Sequence, residues 1–151
     1  MKALIVYDSV YGNTEKIAKA IADGITPSGE AKALRAGEAS TSELASVDLL
    51  IVGSPVHGGR PTPAVQDFLN RMAQQSLKDI KVAAFDTRAT SKFAKIFGNA
   101  AGRMAGQLTK KGGVLVVPAE GFFVTGTKGP LKEGELERAA AWAKGIPEAK
   151  K

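Results

Sequence analysis

Short apolar runs alternate with amphipathic stretches along the chain. The run at 47–53 is almost continuously apolar, which is typical of a strand buried on both faces of a parallel sheet. Apolar residues at 17, 18, 21 and 22 recur at helical spacing and predict a helix from Thr14. In all, we predict strands at 4–7, 31–34, 47–53, 80–85 and 114–117, and helices from Thr14, around 65–72, at 93–108 and at 133–144. This order, interpreted as strand then helix five times, predicts a doubly wound α/β fold with a parallel sheet, right-handed crossovers and helices on both faces.

The length and the apolar content favour one domain. The 151 residues, 44% of them hydrophobic, can bury a core of ordinary size, and we place the domain at 1–147 with a frayed tail at 148–151. No apolar run approaches the roughly 18 residues that a membrane span needs. The first residues also lack the long apolar segment of a signal peptide, so we expect a cytoplasmic protein without a membrane partner.

The composition restricts the chemistry. Cysteine is absent and there is one histidine, which excludes disulfides, thiolate nucleophiles, iron–sulfur clusters and His-rich metal sites. Any redox chemistry therefore needs an organic cofactor. The net charge of +6 permits an acidic partner or nucleic acid, but the charges are spread and aromatic residues make up only 6%. We interpret the charge as a solvated basic surface, with no nucleic-acid module.

Polar and glycine-rich loops follow the predicted strands. Three of them, at 8–13, 54–62 and 86–92, leave strand ends and precede helices, and a fourth, at 118–121, leaves the last strand. In an open parallel sheet, ligands bind beyond the carboxyl ends of the strands, where the strand order switches. The sequence therefore predicts the functional site at this edge.

The first of these loops has the chemistry of an anion site. It consists of Ser9, Val10, Tyr11, Gly12, Asn13 and Thr14. The free amides and the dipole at a helix N-terminus attract anions, and a glycine lets the backbone approach the ligand. The loop lacks the lysine of a Walker motif, and the chain has no Gly-x-Gly-x-x-Gly fingerprint, so a monophosphate is the best fit. The alternative is that Asn13 or Thr14 simply caps the helix.

At this loop the chain resembles the flavodoxin family. The family pattern is an aromatic residue after an apolar run, then Ser or Thr, two residues, Gly, one residue and Thr; here Tyr7, Ser9, Gly12 and Thr14 match it in place. The resemblance implies a five-stranded parallel sheet of order 2-1-3-4-5. It also implies a non-covalent FMN whose phosphate sits at 9–14.

The resemblance also assigns roles to the other loops. In the second loop it implies flavin contacts from Ser54, Pro55, Val56, His57, Gly58 and Gly59. His57 takes the place of the stacking aromatic residue, and Gly58 that of the residue whose carbonyl turns toward the flavin N5 upon reduction. The alternative is a Gly/Pro-rich turn with an exposed histidine.

The third and fourth loops carry weaker assignments. We predict that Thr87, Arg88 and Ala89 bind the pyrimidine edge through backbone amides, and that 120–123 is a candidate cover for the ring. Phe93 and Trp142 are predicted to be packing residues of their helices.

Two functions remain open from the sequence. The first is an electron carrier that exchanges electrons with partner proteins, a reductase and an acceptor. The second is an FMN-dependent NAD(P)H:quinone oxidoreductase. The chain has no large insertion between the fifth strand and its helix to build a second substrate pocket, which favours the carrier. A phospho-acceptor receiver domain is discounted, because Gly53 and Ser54 stand where it needs an aspartate.

Overall fold

A computed structural model describes residues 2–89, 99–126 and 128–146. Within these ranges, six strands form one parallel sheet: β1 (Lys2–Tyr7), β2 (Glu30–Arg35), β3 (Leu49–Pro55), β4 (Lys81–Ala89), β5 (Val114–Leu115) and β6 (Glu120–Val124). The order is β2-β1-β3-β4, and both β5 and β6 pair with β4. This confirms the predicted order 2-1-3-4-5, with the fifth position divided between two short strands.

Helices cover both faces of the sheet, as predicted. The described α-helices are α1 (Asn13–Ile25), α2 (Pro63–Arg71), α3 (Ala100–Lys110) and α4 (Glu135–Gly145). Alternate residues of β3 point to opposite layers: Leu50 and Val52 pack in the cluster that contains α2 and α3, whereas Leu49 and Ile51 pack in the cluster that contains α1 and α4. The central strands are apolar throughout because both of their faces are buried.

The connection between β2 and β3 differs from the predicted alternation. It contains a 3-10 helix, Thr41–Ser46, instead of an α-helix. Ser40 caps it, because its hydroxyl accepts from the amide of Ser42 while the carboxylate of Glu43 accepts from the amide of Ser40. Only Leu44 of this helix is buried, so it has too few apolar positions to hold a full amphipathic helix on the sheet.

The last strand of the sheet differs from the predicted one at 114–117. β5 has two residues, and the chain rejoins β4 as β6, with Glu120 opposite Phe85. The prediction of a loop at 118–121 is therefore wrong for Glu120 and Gly121, which lie in β6. Pro118, which has no amide to donate, stands in the interruption.

The aromatic residues of this edge form a core triad. Phe122 is fully buried, so it does not cover a surface ligand as its segment was predicted to do. Its ring packs edge-to-face on Phe85 at 6.1 Å and on Trp142 at 5.9 Å. The predicted packing role of Trp142 is thus confirmed.

Parts of two predictions lie outside the described residues. The predicted helix at 93–108 is observed from Ala100, and Phe93 falls in the range that is not described, as does the predicted tail. None of the helices in the described ranges combines the length and the apolar character needed to cross a lipid bilayer.

Candidate functional site at the carboxyl edge of the sheet

The loop between β1 and α1 curls over the helix N-terminus. Ser9 holds this shape, because its hydroxyl oxygen accepts hydrogen bonds from the amides of Gly12 (3.1 Å) and Glu15 (3.2 Å). Gly12 is the N-cap residue with φ of 93°, a left-handed conformation that favours glycine. No atom lies within 4 Å of the place where a Cβ of Gly12 would be, so the loop is open at this point.

Four amides of this loop are free to bind a ligand. No described residue accepts a hydrogen bond from the amides of Val10, Tyr11, Asn13 or Thr14. They surround the N-terminus of a 13-residue helix, where the helix dipole also favours negative charge. The geometry is that of an anion-binding loop.

The simple capping role that we weighed for Asn13 and Thr14 does not fit. The N-cap residue is Gly12, and the side-chain oxygen that accepts an amide of the first turn of α1 belongs to Ser9, not to Asn13 or Thr14. Asn13 instead donates from Nδ2 to the carbonyl of Lys128 (3.2 Å), and the buried Thr14 hydroxyl lies 2.7 Å from that of Thr87. Both side chains therefore join the loop to other parts of the molecule.

The residues predicted to form the third loop lie in β4, which runs to Ala89. The loop prediction is therefore wrong for 86–89. The cause is pairing with β6, which extends the strand beyond the end of its apolar run. Thr87 and Ala89 alternate with Asp86 and Arg88 along the strand, so only Thr87 of the polar residues faces α1.

Arg88, which is partly exposed, forms an ion pair with the fully buried Asp86. The guanidinium of Arg88 donates to both carboxylate oxygens of Asp86, at 2.7 and 2.9 Å. The same carboxylate accepts from the amide of Ala101 at the start of α3 (2.9 Å). Burial raises the pKa of Asp86, while the bonds from Arg88 and Ala101 oppose that rise. The charge of Arg88 is thus largely balanced by its neighbour.

A buried hydroxyl at the end of β3 closes the second loop. Ser54 and Pro55 complete β3 instead of starting the loop, and Val56 follows them. The Ser54 hydroxyl donates to the carbonyl of Pro55 (2.7 Å) and accepts from the amide of Thr62 (2.9 Å). These two bonds bring both ends of the loop together.

The tip of the second loop is a tight turn. His57 and Arg60 exchange two backbone hydrogen bonds, at 2.8 and 3.0 Å. Gly58 and Gly59 between them have φ of 58° and 79°, as in a type I′ turn. From α3, Arg103 donates Nε to the carbonyl of Gly59 (3.0 Å). His57 is exposed, as the alternative interpretation of this loop anticipated, and its ring is accessible from the solvent.

Two further hydrogen bonds bring the predicted segments to one edge of the sheet. The amide of Asp8 donates to the carbonyl of Gly53, and the amide of Val56 donates to the carbonyl of Thr87, both at 3.2 Å. The anion-binding loop, the end of β4 and the glycine turn are consequently neighbours along the carboxyl ends of β1, β3 and β4.

Comparison with known proteins identifies the family. The family model described as Flavodoxin domain matches residues 4–115, which is well over half of the chain. The chain belongs to the flavodoxin family. Its fold is similar to a flavodoxin from the domain Archaea, with a TM-score of 0.82, 22% identity and full coverage of both chains. It is also similar to oxidised Flavodoxin 2 from Bacillus cereus, with a TM-score of 0.81, 25% identity and coverage of 98% and 99%.

A curated relative is much longer than this flavodoxin-family chain. The "Uncharacterized protein MJ0732" of Methanocaldococcus jannaschii is 38% identical over 108 residues, which is 65% of this chain. The matched part is 28% of that relative's length.

Three basic residues beside the loops of this flavodoxin-family chain were missed by the sequence analysis. Arg35 at the end of β2 donates to the carbonyl of Ser9 (3.1 Å) and lies 3.8 Å from a carboxylate oxygen of Asp8. Lys128 and Arg103, described above, approach the first and second loops. No local signal marks these residues, because each reaches the site from an element distant in sequence.

Proposed function

We propose that this chain binds FMN non-covalently at the carboxyl edge of its sheet and carries electrons between partner proteins, a reductase and an acceptor. The observation that supports this best is the anion-binding loop. The amides of Val10, Tyr11, Asn13 and Thr14 lie around the start of α1, and none of them has a hydrogen-bond acceptor in the part of the chain that the structure describes.

The loop suits a single phosphate. A dinucleotide needs a second phosphate site, whereas this loop offers one helix N-terminus with neutral donors around it. The hydroxyls of Ser9 and Thr14 border the same loop and can turn to donate to an anion. The open space beside Gly12 leaves room for the ligand to approach the backbone.

The glycine turn after β3 and the end of β4 suit the flavin ring. Bound FMN would supply one- and two-electron transfer, a chemistry that no side chain of this protein has. The exposed ring of His57 is available for stacking, and Gly58 keeps the adjacent backbone free of a side chain. Thr87, Arg88 and Ala89 remain the proposed backbone contacts for the pyrimidine edge, since the side chain of Arg88 is engaged with Asp86.

Titration of the purified protein with FMN, riboflavin and FAD tests the binding. We expect micromolar or tighter FMN binding, weaker riboflavin binding and no preference for FAD. Thr14→Val should weaken FMN binding about tenfold, because a hydrogen bond to a charged group is worth about 1.5–3 kcal/mol. Thr109→Val, an exposed hydroxyl in α3, is the matched control and should change the affinity less than about twofold.

Two outcomes would contradict this assignment. If the wild type takes up no FMN at micromolar concentration, the proposed function is wrong. If Thr14→Val and Thr109→Val bind FMN equally well, the phosphate lies elsewhere. Circular dichroism of both variants controls for folding, because Thr14 is buried.

A second experiment tests the carrier role. The FMN-loaded protein, chemically reduced, should pass electrons to cytochrome c, but should not by itself oxidise NAD(P)H with a quinone over many turnovers. Sustained NAD(P)H oxidation without a reductase would contradict the carrier role and favour an oxidoreductase.

A further inference from the structure

The turn that follows β6 folds back over the anion-binding loop. Val124 and Leu131 form an antiparallel bridge, and the amide of Thr125 donates to the carbonyl of Pro130 (2.9 Å). The amide of Lys132 donates to the carbonyl of Phe123, also at 2.9 Å. These bonds define a closed hairpin, which holds Lys128 near its tip.

The tip of this hairpin contacts the anion-binding loop at two residues. The Asn13 side chain donates to the carbonyl of Lys128, and the Lys128 ammonium lies 5.9 Å from the centre of the Tyr11 ring. Gly129 permits this approach: its φ is 99°, and a Cβ there would lie 2.6 Å from Nδ2 of Asn13. The position of Lys128 is therefore set by contacts with the loop on either side of Gly12.

Lys128 differs from Arg35, a second described cation that contacts this loop, because Arg35 has carboxylate partners. Arg35 lies 3.8 Å from a carboxylate oxygen of Asp8 and 3.4 Å from one of Glu15. In the described ranges no carboxylate lies within 4.0 Å of the Lys128 ammonium. Lys128 is thus a cation with no carboxylate partner among the described residues, and it lies against Tyr11 of a loop that contains no lysine of its own.

We propose that Lys128 is a specificity residue of the phosphate subsite: its ammonium selects the phosphorylated flavin over the unphosphorylated one. This inference rests on the proposed FMN site and adds a charged group from a distant hairpin to it. The amides and hydroxyls bind the phosphate oxygens, while Lys128 balances the phosphate charge from the Tyr11 side. Removing the lysine should therefore affect FMN and leave riboflavin unaffected.

The test compares FMN and riboflavin affinities of the wild type, Lys128→Met and Lys128→Arg by fluorescence titration. At about 10 mM salt we expect Lys128→Met, at an exposed position, to weaken FMN binding about fivefold, within the range of solvent-exposed charge pairs. Riboflavin binding should not change, and Lys128→Arg should restore FMN affinity. At about 1 M salt the difference should disappear, because the screening length falls from about 30 Å to about 3 Å.

Lys110→Met, at the end of α3, is the matched control with the same change in net charge, and it should leave both affinities unchanged. Unchanged FMN affinity in Lys128→Met at low salt would overturn the proposal. So would an equal loss of riboflavin affinity, since the lysine would then act by shaping the loop.

Inorganic phosphate separates this proposal from the proposed function. Should the wild type bind neither flavin, FMN binding fails, and the lysine is tested by phosphate titration of the Gly12 and Thr14 amide signals in NMR spectra. Weaker phosphate binding by Lys128→Met than by Lys110→Met would support the role of Lys128. Equal phosphate binding by the two variants would overturn it.

Discussion

Gly53 is the position where one added methyl group should disturb the site most. It lies in the buried part of β3, and its carbonyl accepts a hydrogen bond from the amide of Asp8, at the start of the anion-binding loop. A Cβ at Gly53 would lie 2.1, 2.3 and 2.5 Å from three ring carbons of Phe85. Carbon atoms normally approach to about 3.5–4.0 Å, so the ring would have to move by more than about 1 Å.

The ring of Phe85 has little room to move. It is fully buried and packs edge-to-face on Phe122 and on Trp142, with ring centres 6.1 and 6.3 Å away. Overpacking of this kind costs about 1–3 kcal/mol, and the large shift places this case in the upper part of that range. Replacing glycine in a strand recovers roughly 0.5–1 kcal/mol. We therefore expect Gly53→Ala to lower the free energy of unfolding by about 2 kcal/mol.

Urea denaturation followed by circular dichroism measures this loss. In thermal denaturation, the melting temperature of Gly53→Ala should fall by about 4–8 °C, because a chain of this size loses about 2–4 °C for each kcal/mol of unfolding free energy. Gly106→Ala is the matched control, since no atom lies within 4 Å of its Cβ position in α3. It should be more stable than the wild type by up to about 1 kcal/mol.

A double-mutant cycle with Phe85→Leu identifies the cause. The smaller side chain gives the methyl group room, so the two substitutions together should cost less than the sum of their separate effects, by at least about 0.5 kcal/mol. Wild-type stability of Gly53→Ala would refute the steric argument, and strict additivity in the cycle would show that Phe85 is not the residue displaced.

Three further predictions concern the contacts around the site. The hydrogen bonds from Arg138 hold the pKa of Glu135 below its ordinary 4.5, so the ionised carboxylate stabilises the fold above that pH, and this stability is lost as the pH falls through the lowered pKa. Glu135→Gln should thus be less stable than the wild type at pH 7, and the two unfolding free energies should converge in acid; a constant difference would count against the ion pair. Gly121→Ala should lower the free energy of unfolding by about 1–2 kcal/mol in denaturation experiments. The added Cβ would lie 2.3 Å from the guanidinium of Arg88 and would displace it from the buried carboxylate of Asp86. An unchanged free energy of unfolding would mean that the arginine moves aside freely. Arg103→Gln removes a hydrogen bond worth about 1 kcal/mol from the turn after β3, so the amides that close this turn should exchange with deuterium about fivefold faster; unchanged exchange would show that the turn is stable by itself.

The sequence alone determined the features that depend on local pattern. The almost continuous apolar run at 47–53 identified β3 as a strand buried on both faces, because this strand needs only its own residues to show it. The anion-binding loop was also visible, since Ser9, Gly12 and Thr14 lie within six positions and the helix that follows is amphipathic. The strand order was reached through the family resemblance that this loop carries.

Only the tertiary structure decided which residues come together at the carboxyl edge of the sheet. β4 continues to Ala89 because β6 pairs with it, and β6 lies more than 30 positions further along the chain. The pairing of Arg88 with Asp86 in turn depends on their sharing one strand face and on the α3 amide above them.

The approach of Lys128 and Arg103 to the site likewise arises from the return of distant segments to the edge. Such contacts have no local signature, because they join a turn and a helix to loops that are far away in the sequence and that only the assembled fold brings near.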